Sequence, residues 1–375
     1  MNIAIIGAGI YGCHMALSLK NDANHIDLYD RAPDLFAGAS THNSHRIHKG
    51  YHYPRSGMTR EMCQKDEAEF VKTYPQLISP DKDNPKIFCV ADNSRTLIDY
   101  KTMELIMRGS NLLIEVLSKR ELADLGFTNI EGGFKVYESI LLVDKAKSWF
   151  KKELIEKGVS LKLHTPVVTF ESVSQNQVKI RDNIYDFVIN CTYNQAFQHK
   201  PVAHETYFDL CFSLVVSSIS RKDKMRHFGF GIFDGDFPSL EPFGYDLLPP
   251  EYAAYENHRL FQVYHVRHTS VKKYKDINEA RKALETGLST DHLQAITKNI
   301  LEDVLHFYPT FNEDFRILGH NLSLKTKVTD LSDARPLLVL QDHSRHPRFI
   351  QVFSSKLTSI ISAGIMVKKL ISTRW

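Results

Sequence analysis

The 375-residue sequence contains only five cysteines, and no two of them lie close enough to form a CxxC unit. An odd number of scattered cysteines argues against a disulfide framework and fits reduced thiols in a cytosolic protein. The sequence also lacks an uninterrupted apolar run approaching the ~20 residues that a membrane-spanning helix needs. We therefore expect a cytoplasmic protein without a transmembrane segment.

Neither sign of charge is in large excess, because 47 basic and 44 acidic side chains leave a net charge of +3. A nucleic-acid-binding protein needs a concentrated basic surface for its phosphate contacts, and the basic runs in this chain are short. The balance therefore predicts no nucleic-acid partner. The hydrophobic fraction of 43% is ordinary for a globular protein, and the length favours two domains.

The N-terminus carries a glycine-rich turn, GAGIYG, between a short apolar strand and a helical pattern. In this GxGxxG spacing Gly7 permits the tight turn, Gly9 lets the backbone approach a pyrophosphate, and Gly12 lets the helix pack closely on the strand. The free N–H groups and the positive dipole end of the following helix would face the phosphates. The turn therefore predicts a dinucleotide-binding site.

An acidic residue ends the second predicted strand, HIDLYD, at Asp30. Its distance from Gly12 is close to the ~20 residues typical of an acid that accepts a hydrogen bond from a ribose hydroxyl. A carboxylate at that position disfavours a 2′-phosphate, so NADP is not expected. The motif by itself does not distinguish FAD from NAD.

Residues 37–54, AGASTHNSHRIHKGYHYP, resemble the flavin-facing segment of the D-amino-acid-oxidase-like flavoproteins. That superfamily includes L-2-hydroxyglutarate dehydrogenase, glycerol-3-phosphate dehydrogenase, and glycine and sarcosine oxidases. The hydroxyglutarate enzymes carry the pattern HNSG-x-IH-x-G-x-YYP, to which residues 42–54 are similar. His45 stands where that pattern has a glycine.

The C-terminal part is similar to the end of the flavin domain of glycerol-3-phosphate dehydrogenase, with RPL at 335–337, SRH at 344–346 in place of the family's SR-x-H, and KLT at 356–358. Ser354 and Ser355 replace the glycines that usually precede the lysine. The resemblance implies a loop and a helix that aim N–H groups, with Lys356 as a further group, at the pyrimidine carbonyl of a flavin. Positive charge there stabilises the anionic reduced flavin.

The middle of the chain resembles the segment with which the family returns to its FAD-binding domain. Asp144 is a plausible N-cap of a helix that ends at Gly158, and the resemblance implies a strand near 167–168 on the adenine side. A buried strand is predicted at 187–190, where the sequence resembles the family pattern DxVINAAG. Residues 192–193 replace the final glycine of that pattern.

The order of these segments implies an α/β fold. It consists of a Rossmann-like FAD-binding domain assembled from three chain segments and an α+β substrate domain with a mainly antiparallel sheet. We assign 1–74, 140–204 and 311–375 to the FAD-binding domain, and 75–139 and 205–310 to the substrate domain. Three visits of the chain to one dinucleotide-binding domain favour FAD over NAD. The resembled segment is not usually covalently tethered to its flavin.

The motif and the resemblance together predict which residues contact FAD. They are Gly7, Gly9, Ile10, Tyr11, Gly12, Asp30, Arg31, Ser40, His42, Asn43, Ser44, Val167, Val168, Cys191, Thr192, Ser355, Lys356, Leu357 and Thr358.

The predicted catalytic residues are His48, Tyr53 and Arg335. An alcohol substrate needs a base for its hydroxyl proton, and His48 matches the family histidine ahead of the G-x-YYP turn. An anionic substrate needs a cation, ideally a bidentate arginine, for which Arg335 is the best placed. Tyr53 could orient the substrate, and Arg46 and Arg55 are weaker candidates for anion contacts.

Four histidines between residues 42 and 52 have a spacing that would place them on one helix face, as in a metal site. Gly50 and Pro54 oppose a long helix through this segment. An extended passage along FAD would point the histidines in different directions. We therefore predict no metal site.

The leading functional hypothesis is an FAD-dependent oxidase or dehydrogenase. It would oxidise a C–N or C–O bond of a small, polar, anionic molecule resembling an amino acid or a hydroxy acid. One alternative is a flavin enzyme without net redox change, of the sugar-nucleotide mutase type. A second alternative is a non-enzymatic interaction protein that FAD stabilises. The sequence does not identify the substrate or the oligomeric state.

Overall fold

The structure is a computed structural model that describes residues 1–198, 206–219, 228–244, 250–329 and 337–372. The strands of these residues are β1 Asn2–Ile6, β2 His25–Tyr29, β3 Pro85–Ala91, β4 Glu115–Leu117, β5 Ile130–Tyr137, β6 Ser160–Lys162, β7 Glu171–Ser174, β8 Gln177–Ile180, β9 Asn183–Tyr185, β10 Phe187–Asn190, β11 Thr206–Ser218, β12 Gly229–Phe233, β13 Pro238–Pro242, β14 Leu260–His265, β15 Ser270–Tyr274, β16 Phe315–Val328, β17 Leu338–Gln341 and β18 Phe349–Phe353.

The α-helices of the same residues are α1 Ile10–Leu19, α2 Gly57–Thr73, α3 Tyr100–Gly109, α4 Lys119–Asp124, α5 Val143–Glu156, α6 Ile277–Thr286, α7 Thr290–Phe307, α8 Phe311–Asp314 and α9 Ile360–Ser372. None of them is long and apolar enough to cross a membrane.

The first sheet, hereafter the dinucleotide sheet, has the strand order β17-β18-β10-β1-β2-β6. Strands β6, β2, β1, β10 and β18 are parallel, and β17 is antiparallel to β18. The central strand β1 is apolar on both faces because α1, α5 and α9 cover one side and the β7–β8–β9 sheet covers the other. This arrangement brings the carboxyl end of β1 and the N-terminus of α1 to one edge of the sheet.

The second sheet, hereafter the roof sheet, runs β15-β11-β14-β13-β12-β3-β5-β4, and β16 also pairs with β11. All its pairings are antiparallel except that of β12 with β3. Aromatic and aliphatic side chains of this sheet pack against α7 through Ile296, Ile300 and Val304. The mainly antiparallel second sheet predicted from the sequence is confirmed.

Several predicted elements are confirmed, and two are corrected. The strand Phe187–Asn190 forms as expected, and α5 ends just before Gly158, whose φ is +67°. Asp144 is not the N-cap, because α5 begins one residue earlier and Leu142 is the cap. Residues 167–168 form no strand, because β6 ends at Lys162 and the chain then runs without a strand partner until β7.

The strand β16 lies in the roof sheet, whereas the sequence analysis grouped 311–375 with the FAD-binding domain. Its register with β11 runs from Thr206 opposite Val328 to Ser218 opposite Phe315. Strand pairing over this separation depends on which backbone edge is available in the folded protein, and the alternation of β16 alone does not reveal it. The remaining domain limits stay predictions.

Candidate functional site

A cleft of about 930 Å³ lies between the dinucleotide sheet and the roof sheet. Its floor is the glycine-rich turn after β1 and the segment that follows β2. Strands β11 and β16 and helix α6 contribute the facing wall. Clefts at the carboxyl ends of parallel strands are where open α/β sheets bind their ligands.

The glycine turn has the geometry that its spacing predicts. Gly7 has a φ of +101°, and a Cβ there would lie 2.8 Å from the carbonyl oxygen of Cys191. A Cβ on Gly12 would lie 1.8 Å from the carbonyl oxygen of Gly7, so α1 could not approach the turn. The backbone N–H of Ile10 donates to Ser40 Oγ at 3.0 Å, which joins the turn to the segment after β2. No larger residue fits at position 7 or 12.

Asp30 lies beside this turn and is held by two backbone donors. Its Oδ2 accepts from the N–H of Ala8 at 2.6 Å, and its Oδ1 accepts from the N–H of Ala32 at 2.8 Å. The carboxylate therefore has a defined position in the cleft wall, and Arg31 lines the wall next to it. The contact of Asp30 with a ribose stays a prediction.

The chain keeps the left-handed backbone at two places where the family pattern has glycine. His45 has a φ of +53° and Tyr193 a φ of +58°. The His45 imidazole is fully buried and contacts the Thr41 carbonyl oxygen through Nε2 at 2.8 Å. Burial lowers the pKa of His45 to about 3, so the ring is neutral. The Tyr193 ring stacks on Phe353 with centroids 5.4 Å apart. Both residues therefore adopt a backbone conformation that glycine adopts without strain.

The predicted residues His48, Tyr53 and Lys356 all line the cleft. The rings of His48 and Tyr53 have centroids 6.3 Å apart. Lys356 Nζ lies 3.6 Å from the centroid of the Tyr53 ring and 3.2 Å from Cys63 Sγ. The Lys356 ammonium thus lies beneath Tyr53, while its backbone carbonyl accepts from Tyr11 Oη at 2.6 Å.

Arg46 also lines the cleft, but its guanidinium is buried in a network of charged side chains. It pairs with Glu138 and, at 3.3 Å, with Glu241, while Lys86 pairs with the same Glu241. Burial and the nearby Arg46 lower the pKa of Lys86 to about 7. Arg46 is therefore positioned by two carboxylates, and its charge is largely balanced before any substrate binds. Arg55 does not line the cleft and pairs with Asp234.

The roof sheet contributes two lysines that the sequence analysis missed. Lys325 and Lys327 on β16 both line the cleft. Lys327 pairs with the buried Asp209, whereas Lys325 Nζ lies 5.2 Å from the centroid of the Tyr264 ring. The alternation in LSLKTKV already places both lysines on one face of a strand. It does not show that this face meets the cleft.

Most of the predicted cofactor contacts come together in this one cleft. Three of them, Gly12, His42 and Thr358, lie outside its wall. The predicted catalytic residue Arg335 lies outside the described residues. Thr358 is nevertheless buried beside the wall, and its Oγ1 has no hydrogen-bond partner among the residues that the structure describes. The predicted contacts in the wall are Gly7, Gly9, Ile10, Tyr11, Asp30, Arg31, Ser40, Asn43, Ser44, Val167, Val168, Cys191, Thr192, Ser355, Lys356 and Leu357.

The histidines between 42 and 52 are not arranged around a common point. No helix forms over this segment, and the His52 ring packs against Phe88 and Phe233. Within the described ranges, no three histidine, cysteine or acidic side chains are grouped so that they could hold a metal ion. The described cysteines are all buried and free.

Comparisons with known proteins give consistent results. The family model described as "FAD dependent oxidoreductase" (DAO) matches residues 2–231. The FAD-dependent monooxygenase FPY4 of Fusarium mangiferae is 28% identical over 373 residues, which cover 99% of this chain and 91% of that protein. The FAD-dependent monooxygenase kojA of Aspergillus flavus is 25% identical over 387 residues, covering 99% of this chain and 86% of the relative.

Solved structures with the same fold are more distant in sequence. Glycine oxidase from Geobacillus kaustophilus superposes with a TM-score of 0.69 at 11% identity and covers 100% of this chain and 95% of its own. L-alpha-glycerophosphate oxidase from Mycoplasma pneumoniae, solved with FAD bound, has a TM-score of 0.72 at 14% identity. The match covers 99% of this chain and 94% of the oxidase. These similarities show the fold.

Proposed function

Because the chain belongs to the FAD-dependent oxidoreductase (DAO) family, we propose that it oxidises a C–N or C–O bond of a small anionic molecule. The substrate would resemble an amino acid or a hydroxy acid, and a hydride would pass to the flavin. The observation that carries this proposal is the placement of His48 and Lys325 on the cleft that also contains the glycine turn. Family membership makes the chain an enzyme, which contradicts the non-enzymatic alternative.

The cofactor is FAD, and the cleft residues fit it. Larger side chains at Gly7 and Gly12 would clash with the backbone, so the turn is shaped for a closely approaching ligand. In our proposal the α1 N-terminus and Ser40 hold the pyrophosphate, Asp30 the ribose, and the segment 355–358 the flavin ring. The buried Thr358 Oγ1 would then find its acceptor or donor on the flavin. Bound FAD supplies the acceptor for the hydride.

His48 is the proposed base for an alcohol substrate. Its Nδ1 is buried, so Nε2 is the atom that can take the substrate's hydroxyl proton as the hydride leaves. Tyr53, whose ring lies beside His48, would orient the substrate. An amine substrate can enter neutral and would not need this base, so the effect of removing His48 distinguishes the two substrate classes.

Lys325 is the proposed contact for the negative charge of the substrate. Arg335, the anion contact predicted from the sequence, lies outside the described residues and stays a prediction. A lysine in a partly dehydrated cleft attracts a carboxylate more strongly than one in bulk water does, because the effective dielectric constant is lower.

A monooxygenase is the second candidate, supported by the names of the relatives that align along almost the whole chain. In that case a separate reductant would have to reduce the flavin before oxygen is used. The sugar-nucleotide mutase alternative has no such support and stays a hypothesis.

The test is to mix the purified yellow protein anaerobically with candidate amino and hydroxy acids and to follow bleaching of the flavin absorbance. Direct bleaching by one of them supports the oxidase or dehydrogenase proposal. Bleaching only by a reduced nicotinamide, followed by oxygen-dependent modification of a substrate, would refute it in favour of a monooxygenase. Peroxide release in air then separates an oxidase from a dehydrogenase.

Two variants test the assigned roles with the substrate that this screen identifies. Lys325→Met should raise the KM for an anionic substrate about tenfold or more, as expected for loss of a charge-assisted contact. The control Lys272→Met removes an exposed lysine of β15 outside the cleft wall and should leave KM unchanged. His48→Gln should lower kcat by about 10²-fold or more for an alcohol substrate. Unchanged kinetics in both cleft variants would contradict the proposed roles.

A further inference from the structure

Helix α6 of the roof sheet carries a cleft residue that neither the sequence motif nor the catalytic proposal uses. Ile277, Asn278 and Arg281 line the cleft from this helix. Ile277 and Ala280 are buried against β11 and β16, so the helix is firmly packed on the roof sheet. Because residues four positions apart share a helix face, Arg281 projects into the cleft beside Ile277.

The protein provides few hydrogen-bond acceptors for the N–H groups of the Arg281 guanidinium in the part of the chain that the structure describes. Its Nε is buried and has no hydrogen-bond partner in the described part of the chain. Nη2 donates to the carbonyl oxygen of Gln195 at 3.4 Å, near the limit for a hydrogen bond. A buried N–H of a charged group without an acceptor is costly, so an acceptor in the cleft would stabilise this arrangement.

The charges around Arg281 also favour an anionic ligand. Burial lowers the pKa of Arg281 most, and the positive charge of Arg31, on the opposite wall, lowers it further. Glu285 and Asp276 act in the opposite direction. Asp276 is the N-cap of α6, and its carboxylate accepts from the N–H groups of Asn278 and Glu279. Among the described residues, neither Asp276 nor Glu285 forms a salt bridge with Arg281.

FAD carries its negative charge on the pyrophosphate. We propose that Arg281 binds the pyrophosphate of FAD from the roof sheet, opposite the N-terminus of α1. The cofactor is then held between the two sheets rather than by the dinucleotide sheet alone. A planar guanidinium suits this role because it can donate two parallel hydrogen bonds to phosphate oxygens.

The test compares the FAD-loaded wild type with Arg281→Met and Lys282→Met. Lys282 is the next residue on α6, is exposed and lies outside the cleft wall, so its variant removes the same charge without a cleft contact. After dilution, release of FAD is followed by the rise in flavin fluorescence. We expect Arg281→Met to release FAD about ten- to a hundredfold faster, the range for loss of a hydrogen bond to a charged group, and Lys282→Met to match the wild type.

The salt dependence separates a charge contact from a packing role. Rising KCl should accelerate release from the wild type more than from Arg281→Met, because the variant has lost one screened interaction. Arg281→Lys keeps the positive charge but not the planar guanidinium, so its rate of FAD release should lie between those of the wild type and Arg281→Met. Equal release rates for Arg281→Met and Lys282→Met would overturn the proposal. If Arg281→Met releases FAD faster than the wild type by the same factor at every KCl concentration, the proposal is overturned as well.

Discussion

His45 offers the most direct test of the backbone in the flavin-facing segment. Its φ of +53° lies in the left-handed region, which costs a residue with a Cβ about 1–2 kcal/mol relative to glycine. His45→Gly and His45→Ala both remove the imidazole, its contact with Thr41, and the packing against Gly244. The two variants therefore differ mainly in what the left-handed backbone costs them.

The expected difference follows from two opposing effects. Glycine relieves the left-handed strain, but its greater freedom in the unfolded chain destabilises it by roughly 0.5–1 kcal/mol relative to alanine. His45→Gly should therefore be more stable than His45→Ala by about 1 kcal/mol. That difference corresponds to about 2–4 °C in Tm for a folding unit of 150–250 residues. Both variants should be less stable than the wild type, because each leaves a cavity.

The assay is urea and thermal unfolding of the FAD-loaded variants side by side. A matched control is provided by His42, which belongs to the same segment and is not among the residues with positive φ. There the order should reverse, with His42→Ala at least as stable as His42→Gly. If His45→Ala were as stable as His45→Gly, residue 45 would not have the left-handed backbone on which this reasoning depends.

Two further predictions concern the dinucleotide sheet. Gly12→Ala should yield a protein without bound flavin, seen as loss of the visible flavin absorbance, because the new Cβ would lie 1.8 Å from the Gly7 carbonyl oxygen; a yellow variant would contradict the packing of α1. Burial lowers the pKa of His14, which contacts Tyr74 Oη at 2.6 Å, to about 4 from an ordinary value of 6.5. As the pH falls, the unfolded chain therefore binds a proton at His14 at a higher pH than the folded protein does. The contribution of His14 to the free energy of unfolding is complete above pH 6.5 and decreases by about 3 kcal/mol as the pH drops toward 4. Urea unfolding of the wild type and His14→Gln between these pH values should show a smaller decrease in the free energy of unfolding for the variant. An identical pH dependence of the two proteins would refute the assignment.

Local features could be predicted because their physical causes are local. The GxGxxG turn, Asp30 and the strand Phe187–Asn190 depend on glycine geometry and on short apolar runs, which act over a few residues. The flavin-facing segment was predicted from its resemblance to a family. The sequence analysis placed His45 at a glycine position of that pattern, but it did not predict the left-handed backbone that His45 adopts. The presence of a dinucleotide site and the order in which the chain forms it were therefore available from the sequence.

Contacts between distant parts of the chain were decided only by the tertiary structure. The assignment of β16 to the roof sheet required its pairing with β11, more than a hundred residues earlier in the chain. The burial of Arg46 between Glu138 and Glu241 joins three separate segments, and no spacing predicts it. Lys325 and Arg281 reach the cleft because the roof sheet packs over the glycine turn. Strand pairing and burial depend on which surfaces the folded chain brings together, whereas turn and helix signals depend on neighbouring residues.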